Sequence, residues 1–281
     1  MTASLNNVAV QQFSVDFENV YQLMSATIPA SVMSVRGVVG DAYKTKIAGQ
    51  MILHPRGAFQ SNIPPSDVDY TPKTIVFTNY TALYPSDIFE QAEVNASERQ
   101  NLARAGAWAI TRREVQVIIN ELENSTTTPI AAGGMNMTMD KMLEAKATLD
   151  RANVPMNERY ALIHANTLQS MLQLTEVTNS QYNTIRALVA GEVDSWLGFK
   201  WQVIGDMDEG GLPLSGTVRT VFFYAKSSLM SAYGVLDQGG NPGITIDWIP
   251  QMQSYAVIPK IRMGAKIQLE NGIIPVYCDE A

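Results

Sequence analysis

Residues 97–122 read Ser97-Glu-Arg-Gln-Asn-Leu-Ala-Arg-Ala-Gly-Ala-Trp-Ala-Ile-Thr-Arg-Arg-Glu-Val-Gln-Val-Ile-Ile-Asn-Glu-Leu122, and the rest of the chain is arranged around this run. Ser97 followed by Gln100 is a capping-box start, in which each side chain satisfies a backbone N–H of the first turn. No proline interrupts the run, and good helix formers fill its first half. Asn124-Ser125 and then Pro129 close it. At about 1.5 Å per residue the helix is a rod of about 39 Å, long for a globular protein. One apolar stripe runs Ala103, Ala107, Ile110, Val117, Ile118, and a second runs Trp108, Val115, Ile119, Leu122. A surface helix normally carries one stripe. Two stripes predict a spine covered on two sides, at least over its C-terminal half, with Trp108 and Ile118 both buried.

Upstream of the spine, Tyr43–Ile47 and Gln50–Leu53 read as strand pieces broken by Gly49. His54 to Pro72 carries Pro55, Gly57, Pro64, Pro65 and two aspartates, which is turn chemistry without a core. Thr74 to Thr81 is rich in β-branched and aromatic residues and reads as a strand. Two strands flanking so long a polar loop make an extended hairpin. Such a loop is unusual inside a compact monomer and more reasonable lying on a neighbouring chain. Residues 1–34 read as an arm that needs a partner to order it, with a short helix within Val15–Met24. Pro85-Ser86-Asp87 is expected to cap a short helix through Gln91.

Downstream, Ser125–Met137 is a linker. Thr138 is a good N-cap for a helix carrying Met139, Met142, Leu143, Lys146 and Leu149. Tyr160–His164 is a short strand, followed by a helix with Leu168, Met171 and Leu172. Gly198–Ile204 is a strand, Asp206–Gly216 an acidic loop, Val218–Tyr224 a strand and Ala225–Ala232 a helix. This alternation predicts an α/β layer. From Pro259 to Leu269, apolar residues alternate with Lys260, Arg262, Gly264, Lys266 and Gln268, a strand with one buried and one wet face. Asn271-Gly272 predicts a hairpin turn with Ile273–Tyr277 as the return strand, beside Ile244–Trp248.

The chain has 281 residues, enough for about two domains. With 46% hydrophobic and 17% charged residues it reads as globular, and its net charge of −7 gives no global attraction to nucleic acid. A single cysteine, Cys278, excludes an intramolecular disulfide. Neither a secretion signal nor an apolar run long enough to span a membrane is present, so the Asn-x-Ser/Thr triplets at Asn79, Asn95, Asn124 and Asn136 read as chance matches. None of the common hydrolase, phosphate-loop, dinucleotide or zinc motifs occurs. His54 and His164, the only histidines, read as solvated or hydrogen-bonded side chains. Asp206-Met207-Asp208-Glu209-Gly210 begins like a calcium loop but has Thr217 where a bidentate glutamate belongs. Glu192 and Asp194 could face one side of a strand, as a paired-carboxylate site would require. Lys260, Arg262 and Lys266 form a basic stripe suited to a wet face, or to phosphate or acidic groups of a neighbour. The expectation is no catalytic residue, no cofactor and no metal centre.

The order of these parts resembles the major capsid protein of tailed phages, the Hong Kong 97-type fold. Ala107-Trp108-Ala109-Ile110-Thr111-Arg112 is similar to that family's spine. Val154-Pro155, Arg159-Tyr160, Leu162-Ile163-His164 and Leu168…Met171-Leu172 resemble its axial strand and helix, and Gly191-Glu192-Val193…Leu197-Gly198-Phe199-Lys200 resembles its next strand entry. The resemblance implies an α+β fold: N-terminal arm 1–34, E-loop hairpin 35–82, peripheral domain 83–134 with 244–281, and axial α/β domain 135–243. It implies a subunit that self-assembles as a homo-oligomer of pentamers and hexamers into an icosahedral virion shell around double-stranded DNA, held by non-specific contact, without a membrane. Assembly in the host cytoplasm, with portal and decoration proteins, follows from the same resemblance. About thirty residues precede the hairpin, so a separate scaffold protein, or none, is expected rather than a fused one. An encapsulin-like compartment and a soluble α/β enzyme with its site near Asp206–Gly216 are the alternatives. One branch of the family joins subunits by lysine–asparagine isopeptide bonds. Here Lys44 and Lys46 share one polar face, Lys73 lies on the opposite arm, and the turn uses Asn271, so a non-covalent shell is expected.

Overall fold

The computed structural model describes residues 27–55, 57, 66–87, 98–174, 195–236 and 241–281. The Ser97–Gln100 capping box, the Val15–Met24 helix, Glu192 and Asp194 lie outside these residues or their described side chains. The chain divides into two compact units. One groups Met1–Met24, Asn79–Arg112 and Leu236–Arg262, and the other groups Ser25–Thr78, Arg113–Val235 and Met263–Ala281.

The first unit is built on β12 (Gly243–Ile249) and the beginning of β13 (Ser254–Ile267), paired antiparallel from Ile249↔Ser254 to Gly243↔Lys260. A tight turn joins them, with Gln253 at φ 48°. On its other side β13 pairs with β5 (Tyr84–Asp87). This segment is therefore a strand where a helix start was expected. Proline at position 85 is compatible with it, because β5 is short and pairs along one side only. The first half of the spine helix α2 (Glu98–Glu123) belongs to this unit. A Cβ on Gly106 would stand 3.2 Å from the Pro259 side chain, so the glycine permits close approach of helix and strand.

The second unit contains the other half of α2, where Val115, Ile118, Ile119 and Leu122 are fully buried. Residues from both stripes are inside, as their spacing implies. Higher up, Trp108 is only half-buried and Ala107 exposed, so the two-sided cover does not reach that turn. Glu121 fixes the helix end: its Oε1 accepts from the Ile267 backbone N–H at 3.1 Å and lies 3.0 Å from Lys266 Nζ.

Six strands form one sheet of this unit, in the order β14 (Ile273–Asp279), β10 (Val218–Ala225), β6 (Arg159–His164), β8 (Phe199–Ile204) and β7 (Ser195–Trp196), with β9 (Leu214–Ser215) paired to the start of β10. β6 and β8 are parallel, and helix α4 (Ala165–Leu172) follows β6, the α/β crossover read from the sequence. The preceding helix α3 (Met139–Arg151) starts where expected, with Thr138 Oγ1 accepting from Lys141 N. Phe199, Trp201 and Phe223 pack edge-to-face at the sheet centre.

Two expectations at the C-terminal end fail for local reasons. β14 pairs with β10, not with β13. Residues Glu270–Gly272 form a 3-10 turn, and neither Asn271 nor Gly272 takes the positive φ that a type I′ hairpin needs. Gly272 serves clearance instead, since a Cβ there would stand 1.8 Å from Ser228 Oγ. Ala225–Ala232, expected as a helix, is instead the last residue of β10, a 3-10 turn at Lys226–Ser228 and the start of strand β11 (Leu229–Gly234), which is buried along its length between β1 (Met33–Val38) and β13. A short, fully buried apolar run has no periodicity that separates helix from strand.

Ile118→Ala should lower unfolding free energy of the unassembled subunit by about 2–5 kcal/mol in urea titration, and Ala107→Gly by about 1 kcal/mol or less. Equal losses would contradict the one-ended burial of the spine.

Candidate functional site

The expected hairpin is present as β2 (Ala42–Ala48) and β3 (Tyr70–Val76), antiparallel from Ala42↔Val76 to Ala48↔Tyr70. The first strand ends at Ala48, and Gln50–Leu53 lies outside it; the second breaks at Phe77, with β4 (Thr78–Thr81) beyond. Among the described residues, the base of the hairpin joins the core. Ile75 is fully buried with Met230 and Ala232, and half-buried Val35, Tyr43 and Phe77 close around them. Gly264 allows this contact, because a Cβ there would meet the Val76 carbonyl oxygen at 2.2 Å.

Beyond the base the hairpin is wet. Lys44, Lys46 and Tyr70 are exposed, as are His54 and the run Met51-Ile52-Leu53, with Leu53 at 88%. An isolated two-stranded ribbon is marginal in water. Contiguous apolar side chains left uncovered mark a surface made for another molecule. This surface, rather than a cleft, is the candidate functional site.

The charged candidates from the sequence form internal ties. His164 is buried and accepts from Asn166 N at 3.2 Å, capping α4. Its Nε2 lies 3.1 Å from Asp206 Oδ1. Arg219 joins Asp206 at 2.9 Å to Glu280 at 2.7 Å, so one guanidinium serves two carboxylates and ties the acidic loop and the C-terminal tail to β10. Glu209 pairs with Arg113 at 2.6 Å, and Gly210 N donates to Gln116, which clasps the same loop to the spine. Among the described residues no cluster of three or more metal-ligating side chains occurs. The basic stripe is divided too. Lys266 pairs with Glu121, and the Arg262 backbone is bracketed by the Asn241 amide, leaving Lys260 as its half-buried third member.

Three buried groups escaped the sequence reading. Lys141 donates to the carbonyls of Met135, Asn136 and Tyr277 at 2.6–3.0 Å, and burial lowers its pKa. Burial pushes the Cys278 thiol up to about 11, so it stays protonated. Glu114 sits inside the spine at 5% exposure, and desolvation raises its carboxyl from 4.5 to about 7, opposed by the nearby Arg36 charge. Its position on the inner face between Ile110 and Ile118 was the available signal.

A family model described as phage capsid protein matches residues 5–280. The chain belongs to the phage capsid protein family. Solved structures agree on the fold. A chain of Mycobacterium phage Che8 superposes with a TM-score of 0.70 at 15% identity, covering 97% of this chain and 98% of that one. The capsid of cyanophage P-SCSP1u gives 0.73 at 12% identity, over 99% and 95%. The capsid of a native GTA particle gives 0.71 at 13%, over 99% and 97%. No curated protein matches the sequence at a significant level. The capsid protein therefore has the Hong Kong 97-like α+β fold, is a component of the virion and forms a multi-subunit shell. It is a structural protein and not an enzyme, and neither the encapsulin-like reading nor a site at Asp206–Gly216 is favoured.

Because Glu114 binds a proton more readily folded than unfolded, its contribution to stability is complete below pH 4.5 and is lost as pH rises through about 7. Glu114→Gln should therefore stabilise the subunit at about pH 8, by up to about 3 kcal/mol, with the difference falling below about 1 kcal/mol at pH 5. Chemical denaturation of both proteins across this range checks the sign; a constant difference would contradict it.

Proposed function

We propose that this capsid protein closes an icosahedral shell from pentamers and hexamers, each subunit laying its hairpin across the next. The observation that carries the reading is the outer hairpin, where, among the described residues, Met51, Ile52, Leu53 and Tyr70 are exposed. In this reading residues 1–34 are the arm, 35–82 the E-loop and 135–243 the axial domain. Residues 83–134 with 244–281 are the peripheral domain, its last strand β14 hydrogen-bonded into the sheet of β10. Assembly takes place in the host cytoplasm with portal and decoration proteins, and with a separate scaffold protein or none. Double-stranded DNA fills the interior through non-specific contact. With a net charge of −7, that contact rests on local cations rather than on overall attraction.

The shell is non-covalent. Lys44 and Lys46 stand exposed on one side of β2. An isopeptide-forming lysine needs an apolar site that favours its neutral amine. Negative-stain microscopy of the purified protein, alone or with scaffold, should show rings or closed shells. The same particles boiled in detergent should run as one band at the monomer mass. A protein that stays monomeric under every condition would overturn the assembly reading, and a ladder of linked subunits would overturn the non-covalent one.

A further inference from the structure

A hairpin that leaves its own chain needs a surface to receive it, and the first unit carries one. The registers of β5, β13 and β12 put residues of all three strands in rows on one sheet face. Tyr84, Val257 and Ile246 form one row, and Ser86, Tyr255 and Trp248 form the next. The row before them, Pro259 with Ile244, meets the spine at Gly106. Past that row the face opens to solvent, with Tyr84 58% exposed, Ile246 48% and Trp248 42%. Val257, between Tyr84 and Ile246, is fully buried, and the Trp248 and Tyr255 rings lie 5.0 Å apart. Aromatic and aliphatic side chains lined up in this way have the composition of an interface core.

A second copy of the chain supplies a segment with the matching spacing. The protein forms a multi-subunit shell, so each subunit is surrounded by identical chains. In the hairpin, Gly49 N donates to Asp69 O at 2.8 Å and Ile52 N to Ser66 Oγ at 3.3 Å, which keeps the exposed run Met51-Ile52-Leu53 alongside the opposite arm. In an extended run Met51 and Leu53 fall on one side, about 7 Å apart, the same interval that separates Ile246 from Trp248 along β12. Both pairs are uncharged, and a methionine thioether is a favourable neighbour for an aromatic ring. The run belongs to one compact unit and the sheet face to the other. A contact between them in two copies is therefore head-to-tail: each copy gives its run to one neighbour and offers its face to another, the kind of contact that closes rings.

We propose that the sheet face of Tyr84, Ile246 and Trp248 receives Met51 and Leu53 of a neighbouring copy. The landing site rests on the reading that the hairpin lies across the next subunit, and adds where it lies.

A chain carrying both Leu53→Cys and Ile246→Cys, assembled and treated with a short bismaleimide, tests the pairing; Cys278 is buried and stays out of the reaction. Boiled in detergent, these particles should give a ladder of linked subunits that neither single variant gives. Particles that form without the ladder would overturn the landing site. Wild-type protein gives a second test that needs no engineered cysteine. Hydroxyl-radical labelling of Trp248, read by mass spectrometry, should be about fivefold or more weaker in shells than in free subunits. Trimming the run by Met51→Ala with Leu53→Ala, both at exposed positions, should restore much of that labelling in the shell. These two measurements decide the matter if the double-cysteine chain does not assemble. Equal Trp248 labelling in subunit and shell would overturn the landing site, as would protection that survives the trimming. Hydrogen exchange of residues 50–53 separates this outcome from failure of the hairpin reading. Exchange slowed in the shell without a ladder means that the hairpin is covered elsewhere, whereas exchange unchanged by assembly overturns the hairpin reading and the landing site together.

Discussion

The second unit takes Val115, Ile118, Ile119 and Leu122 of a single helix completely out of water. Apolar burial has no direction of its own, so it fixes that these layers must meet but not how they are registered. Directional ties supply the register. Glu121 reaches the Ile267 backbone and Lys266, Gln116 holds the Gly210 backbone, and Arg113 holds Glu209. Sheet strands and the acidic loop are thereby indexed to particular turns of the spine. Glu114 lies on the same buried face, an ionisable group in an apolar place whose charged form burial disfavours.

The spine, the hairpin strands, the β6–α4–β8 crossover and the period-two strand were legible because each has its own local signal. A capped run, β-branched runs around a turn-rich loop, and strict alternation all depend on neighbours in sequence. What was not legible depended on neighbours in space. Leu229–Gly234 takes its strand form from β1 and β13 on its two sides. Asn271-Gly272 is a strong hairpin signal, but the space beside Ser228 and the pairing of β14 with β10 override it. Tyr84–Asp87 becomes a strand because β13 offers an open edge.

The candidate site shows the same division. Composition alone predicted that the loop from His54 to Pro72 would not join its own core; among its described residues His54, Pro55, Gly57, Asp67 and Asp69 are exposed, and Tyr70–Pro72 open strand β3. The residues chosen for chemistry, His164, Asp206 and Lys266, are held in internal polar contacts, where their work is to fasten the loop, the tail and the last long strand. Glu114 was missed because a glutamate in a long helix is read as surface unless its stripe is followed turn by turn. In a shell protein, function is spread over surfaces that need a second copy, so a search for a catalytic cluster looks in the wrong place.

The central claim is that the outer hairpin finds its cover on another subunit. Met51 reports on this directly, being 65% exposed in the single chain. Its oxidation to the sulfoxide by dilute peroxide, followed by mass spectrometry, compares unassembled subunits with assembled shells. Rapid oxidation in the free subunit and protection on the order of tenfold in the shell is the result this account predicts. Equal oxidation of Met51 in subunit and shell would mean that the hairpin stays uncovered after assembly, and would contradict it.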